Sequence, residues 1–294
     1  MPLAYVSNSS ANGVAVIDTS TNQLVQTLMI GKHSFGVAVG PDGAHVYVTN
    51  STDNTLSVID AKTKAVSPVK VGNSPFGVAV NPAGTRAYVT NQQSGTVSVV
   101  DTATHQVTPV TVGSVPTGVA VNPAGTLVYV ANQLSSSVSV IDTATNQAST
   151  LTVGNHPFGI AVDPSGTRIY LTNVGDNTVS IIDAATGSDL VDVPVGNRPF
   201  GIAVSPAGTR LYVTNVLDGT VSVIETANSA VTPVTVGTQP FGVAVNPAGT
   251  RVYVANSGSG NVSVINTADN HVTTVTLSGA PTAFGQFIGP PPPP

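Results

Sequence analysis

The sequence predicts an all-β fold: a seven-bladed β-propeller with four antiparallel strands per blade. Three observations carry this. A Tyr-Val-(Thr/Ser/Ala)-Asn unit begins at Tyr5, Tyr47, Tyr88, Tyr129, Tyr170 (where Leu171 stands for Val), Tyr212 and Tyr253, in steps of 41 or 42. A second unit, Phe-Gly-Val-Ala-Val or a near copy, begins at Phe35, Phe76, Thr117, Phe158, Phe200, Phe241 and Phe284. Between them Val and Thr alternate at period two between Gly, Pro, Asn and Ser, the pattern of strands, and nothing has a helical apolar period. Four short strands in about 42 residues is the size of a propeller blade.

One period, residues 75 to 113, shows the elements in order. Phe76–Val80 is the first strand, ended by the turn Asn81-Pro82-Ala83-Gly84. Arg86–Asn91 is the second, followed by Gln92-Gln93-Ser94-Gly95. Thr96–Asp101 is the third, followed by Thr102-Ala103-Thr104-His105. Val107–Val112 is the fourth, stopped by Gly113. The chain enters the repeat at a second strand (Leu3–Asn8) and leaves it after a first strand (Phe284–Ile288). Those halves add to one whole blade, so the C-terminal strand is expected to complete the N-terminal blade and close the ring, which removes a free sheet edge. Residues 1–289 are then one propeller, and the prolines of 290–294 form a linker stub or tail.

The residues resemble the YVTN-type β-propellers, which carry this tetrapeptide in the second strand, a Pro-Phe-Gly-Val-Ala-Val first strand and an Asn-Pro-Ala-Gly-Thr turn. The resemblance covers the chain up to Gly289. It implies a prokaryotic protein that is secreted or surface-associated, with a fold and a location but no particular reaction.

Composition narrows the functions. Charged residues are 8% of 294, against roughly 25% in an average domain. There is no Cys, which excludes disulfides, thiolate metal sites and a cysteine nucleophile. A net charge of -5 with nine scattered Lys and Arg offers no clustered cations for nucleic acid. No apolar run is long enough to span a membrane as a helix, and there is no signal-peptide pattern. No Gly-x-Ser-x-Gly or P-loop motif is present.

Most distinctive residues are periodic, and periodicity points to what every blade needs. Thirteen of the 14 aromatics fall in two registers and read as core between blades, with Phe287 the exception. The Asn ending each second strand reads as a hairpin-turn residue. Pairing the second and third strands puts Arg86 opposite Asp101, Arg168 opposite Asp183, Arg210 opposite Glu225 and His45 opposite Asp60, so three rim salt bridges are expected. Pro68, Pro109, Pro194 and Pro233, with Lys70 and Asp192, guard the outer strands against strand addition.

What remains is a ring of loop residues before each first strand: His33, Ser74, Val115, His156, Arg198, Gln239 and Ala280. The resemblance implies that this loop borders the central channel, where propeller ligands usually sit. His33, His156 and Arg198, with Lys32 beside them, have the chemistry to hold a carboxylate or phosphate. Gln239 joins the same ring, and a gap is expected where Thr117 replaces Phe. His33 and His156 with Asp53 or Asp176 are a weaker metal alternative.

Two functions follow from this reading. One is a non-catalytic secreted or surface binding scaffold using the propeller face and channel mouth, with a protein, surface or small anionic partner. The other is a lactonase-, hydrolase- or lyase-type enzyme acting on a small anion through His33, His156 and Arg198. No cofactor is expected, and the protein is expected to be a monomer.

Overall fold

The alternating Val and Thr segments become 27 strands in seven sheets in the computed structural model, which describes residues 3–291. Six sheets are four consecutive antiparallel strands, so each is a single repeat unit. Blade 3 is typical, with Pro75–Val80, Arg86–Asn91, Thr96–Asp101 and Val107–Thr111 running outward from the axis. Beyond Pro291, the proline run expected to 294 lies outside the described residues.

Blade 1 contains β1 (Leu3–Asn8), β2 (Gly13–Asp18) and β3 (Gln23–Met29). Its inner position is filled from the C-terminus, as expected. The Tyr5 amide donates to Phe287 O at 2.9 Å, and the Thr282 amide donates to Ser7 O at 2.9 Å. The register differs from expectation. Pro281 pairs with Asn8 and Ile288 with Ala4, as Pro75 pairs with Asn91 and Val80 with Ala87. Pro281 and Ile288 are seven positions apart where Pro75 and Val80 are five, so two residues are inserted. Thr282, not Phe284, is therefore the counterpart of Phe76. The insertion bulges toward blade 2, where Val37 and Val39 donate their amides to Phe284 O and Gln286 O, both at 2.9 Å. The segment makes isolated bridges on both sides rather than a regular strand. Phe287 then falls in the register of Ala79 and is fully buried in the core around blade 1.

Between blades, each repeated Tyr packs on the next sheet. Tyr47 joins Val89 and Val100, and Tyr88 joins Val128, Val130 and Ile141. Burial, with the nearby Asp42 carboxylate, pushes the Tyr47 hydroxyl up to about 12. A hydroxyl also stitches neighbouring inner strands. Thr90 accepts from the Gly77 amide at 2.8 Å and donates to Thr117 O at 2.7 Å, and Thr49, Thr172 and Thr214 repeat this.

Asn8 caps its own hairpin, accepting from the Ala11 amide at 3.1 Å, but in the other six blades the Asn ending the second strand is not a turn residue. Asn91 is fully buried, and its Nδ2 donates to Thr96 Oγ1 at 3.1 Å and Ser98 Oγ at 3.0 Å. Its side chain lies on Gly72, where an added Cβ would be 2.7 Å from the amide carbon. The left-handed hairpin residues come later: Asn12, Asn54, Gly95, Ser136, Asn177, Gly219 and Gly260.

The cross-strand partners are those expected, but only one of the three rim salt bridges forms among the described residues. Arg86, Arg168 and Arg210 face Asp101, Asp183 and Glu225. Only Arg210 Nε reaches its partner, Glu225 Oε1, at 2.7 Å. Arg86 instead donates to Thr143 O at 2.6 Å, and Arg251 donates to Thr19 O at 2.6 Å, each reaching the next blade. Asp101 and Asp183 turn to the amides and hydroxyls of their own 3–4 turns, at 2.8–3.1 Å. A guanidinium long enough to cross between blades satisfies carbonyls there, and the short carboxylates cap locally. The outer strands are largely exposed, with Pro68, Pro109, Pro194 and Pro233 within them.

Candidate functional site

The two ends of the inner strands differ. At their start, six phenylalanines converge on the axis. Phe158 stacks on Phe200 with ring centroids 4.2 Å apart, and Phe76 reaches Phe241 at 6.2 Å from a distant blade. Phe35 and Phe284 complete the cluster. The Phe register therefore does not pack between blades, as the sequence suggested. It plugs the channel at the end that carries the candidate loop residues.

The candidates sit around this plug. Lys32, His33, His156, Arg198 and Gln239 are exposed. His33, Ser74, Val115, His156, Arg198 and Gln239 all have φ between 51° and 59°, a left-handed conformation uncommon for such side chains. The loop holds them there from both sides. The Arg198 amide donates to Asn177 Oδ1 at 2.9 Å, and Arg198 O accepts from the Val216 amide at 3.1 Å. Arg198 lies over the Phe200 ring, with the guanidinium carbon 5.3 Å from the centroid, and the His33 ring is 5.8 Å from that of Phe35. His156 and Arg198 lie on consecutive inter-blade connections. His33 is three connections from either. Asp53 and Asp176 accept from the Lys32 and Asn155 amides at 2.8 and 2.7 Å. Hydrogen bonds from Asn155, with His156 nearby, hold the Asp176 carboxyl below its ordinary value. Among the described residues, no three His, Cys, Asp or Glu side chains are grouped to hold a metal ion.

A cleft of about 520 Å3 lies beside Val115, as expected, lined also by Gln92, Gln93, Ser94 and Ser114, but Thr117 does not open into it. Thr117 is fully buried, and its hydroxyl donates to Phe158 O at 2.9 Å and lies 3.3 Å from Ala131 O. It does structural work between blades 4 and 5 and faces no ligand space.

The opposite end is open. A funnel of about 600 Å3 begins among the turns between first and second strands. Its rim is a ring of seven prolines, Pro41, Pro82, Pro123, Pro164, Pro206, Pro247 and Pro290. Most meet a turn glycine of the next blade: a Cβ on Gly84 would lie 3.3 Å from Pro41, and one on Gly125 3.4 Å from Pro82. These glycines have φ near +71°, so the rim needs them twice, for conformation and for contact. Below the rim the wall is Val, Ala and Ile from the inner strands. The funnel narrows to a water-sized space of about 20 Å3 beside Phe284, above the plug.

Few polar side chains line the funnel: Asn81, Asp163, Ser205 and Gln286. Asp163 is its one charged residue and is 9% exposed. Its Oδ1 accepts from the Arg168 amide at 3.0 Å, and its Oδ2 accepts from Ser165 and from Thr167 Oγ1 at 3.2 Å. Burial pushes this carboxyl up, but those donors outweigh it and hold it below its ordinary value. The sequence reading missed this end of the molecule. Its signal was present in the residue leading each turn: Gly40, Asn81, Asn122, Asp163, Ser205, Asn246 and Gly289, one of them charged.

No family model matches the chain, and no curated protein matches it. Solved structures do. A functionally unknown protein from Desulfotomaculum acetoxidans superimposes with a TM-score of 0.82 at 18% identity, covering 100% of both chains. Hydrazine synthase of Kuenenia stuttgartiensis gives 0.77 at 22% identity, over 85% of this chain and 88% of that one. Virginiamycin B lyase from Staphylococcus aureus gives 0.74 at 15% identity, over 83% and 84%. At these identities the likeness is one of fold, and the fold it supports is the seven-bladed β-propeller.

Proposed function

We propose that this propeller is a non-catalytic binding module whose recognition surface is the open, proline-rimmed mouth of its channel. One observation carries the reading: the funnel has the volume of a ligand site, yet its wall is mainly Val, Ala, Ile and Pro, with few polar side chains and no His, Lys or Arg. Its one carboxylate is tied into a turn. General acid-base or nucleophilic chemistry needs paired side chains within hydrogen-bond reach, and this wall offers none.

Virginiamycin B lyase, a protein of similar fold, is an enzyme. The corresponding reading here places chemistry at His33, His156 and Arg198 on the plugged face, with a small anion as substrate. The test is a panel of lactones and anionic esters assayed with the wild type and with His156→Ala/Arg198→Ala. We expect no turnover above the buffer rate. Turnover that disappears in the double variant would overturn the binding-module reading. A location outside the cytoplasm, and a monomeric state, belong to the same proposal. The location rests on the YVTN-type resemblance and is tested by fractionating the native host; the monomer is tested by sedimentation.

A further inference from the structure

We propose that the funnel binds a small amphiphilic cation of the alkylammonium type, its apolar tail in the channel and its charge beside Asp163. This rests on the reading of the open mouth as the recognition surface. Three features of the site carry it.

The first is shape. The funnel is wide at the rim and closes to about 20 Å3 above the phenylalanine plug, so a chain can enter from one side only. The second is wall chemistry. Val, Ala and Ile line the depth, and polar groups stand near the rim, which orients an amphiphile tail-first. The third is charge. Asp163 is the sole ionisable group on the wall, so an anionic head would meet a carboxylate and no cation.

That charge is not needed for the backbone bonds of the turn. Asn81 Oδ1 accepts from the amides of Thr85 and Arg86 at 2.8 and 2.9 Å. Asn122 and Asn246 make the same pair of bonds in their own blades. A neutral amide therefore serves the two backbone bonds of the turn in blades where Ala83, Ala124 and Ala248 stand at the position of Ser165. What the carboxylate adds here is a second oxygen that accepts from Ser165 and Thr167, and with it a negative charge at the mouth, where a cationic head would lie. Its donors keep it ionised at neutral pH.

The experiment is calorimetric titration of the whole chain with decyltrimethylammonium, decanoate and neutral decyl maltoside, each below its aggregation threshold. Wild type, Asp163→Asn and Gln286→Trp are compared, with thermal melts to check folding. We expect saturable one-to-one binding of the cation and no binding of decanoate. Asp163→Asn should weaken the cation about fivefold, the worth of one modest charge contact, and leave decyl maltoside unchanged. Gln286→Trp, which fills the mouth, should abolish binding. If that variant does not fold, methyl shifts of Ala79, Ala120 and Ala161 in the wild type locate the probe instead. Equal binding of decanoate, an unchanged cation affinity in Asp163→Asn, shifts outside the funnel, or no saturable binding would each overturn the proposal. Any of these without lactone turnover leaves the binding-module reading standing. Turnover dependent on His156 and Arg198 removes that reading whatever the funnel binds.

Discussion

Thr117 donates its hydroxyl to the carbonyl of Phe158 at 2.9 Å, and so replaces a bond that its own second strand cannot make. In blades 2, 3, 5 and 6 the inter-blade bond comes from Thr49, Thr90, Thr172 and Thr214. The residue at that position in blade 4 is Ala131, which has no hydroxyl. The bond has moved across one sheet from the second strand to the first, at the cost of one phenylalanine in the plug.

This compensation gives the first prediction. Thr117→Val should destabilise the protein by about 1–2 kcal/mol, the cost of a buried carbonyl losing its donor. Thr117→Phe alone should do at least as much harm. Combined with Ala131→Thr, which restores the arrangement of blade 3, it should recover most of the loss. Urea unfolding of the wild type, Thr117→Phe, Ala131→Thr and the double variant measures the coupling, and simple additivity of Thr117→Phe and Ala131→Thr would refute the exchange.

The second prediction concerns the buried Asn and the glycine beneath it. An added Cβ at Gly72 would lie 2.7 Å from the Asn91 amide carbon, too close for either to stay in place. Gly72→Ala should therefore be destabilising, although the residue is not in a left-handed conformation. Asn91→Ala removes donors to Thr96 and Ser98 and should cost about 1–3 kcal/mol. Because the two share one contact, the double variant should be less harmful than the sum of the single ones by at least about 0.5 kcal/mol in chemical denaturation.

How much was legible follows from which links are local. The opposition of Arg86 to Asp101 could be counted along the chain, because a hairpin and a period of two determine it. The ion pair could not, because Arg86 finds Thr143 of the next blade, 57 residues on. Closure by the C-terminus is legible in the phase of the repeat, and its shifted register leaves one trace in the spacing: Phe284 follows Phe241 by 43 positions where the other steps are 41 or 42. The site was less legible. Whether a strand-start Phe packs between blades or fills the axis depends on the diameter of the ring, which no single repeat encodes. The plug inverts the molecule, closing the end with His33, His156 and Arg198 and leaving open the end with Asp163.

The third prediction tests the closure. Phe287 is fully buried where other blades carry Ala, and Phe287→Ala should cost about 3–5 kcal/mol. Arg251→Ala removes the bond to Thr19 O across the seam between last and first blades. That loss should be nearer 1.5 kcal/mol, the low end for a hydrogen bond from a charged group, since Arg251 is partly exposed. Hydrogen exchange should locate both effects in β1, β2 and the strands of blade 7. Uniform loosening of all seven blades would contradict a role at the seam.

The fourth prediction is a pH dependence with a sign at each end. The carboxyls of Asp60, Asp101, Asp142 and Asp183 are held below the ordinary range first by the amide of a turn threonine and then by its hydroxyl. A carboxyl with a depressed folded pKa adds stability that is fully present above its unfolded value, near 3.9, and is lost as pH falls through the folded value. At the alkaline end the sign reverses, because burial raises the Tyr47 hydroxyl to about 12 from an unfolded value near 10. Its contribution is fully present below pH 10 and is lost as pH rises through about 12. Denaturant midpoints should therefore hold steady from about pH 5 to 9 and fall on both sides. In Asp101→Asn the acid fall should be shallower, since an amide keeps an acceptor for the turn but does not titrate. In Tyr47→Phe the alkaline fall should be shallower by the share of that one hydroxyl. An acid limb unchanged in Asp101→Asn would show that its turn bonds are as strong in the protonated form as in the ionised one.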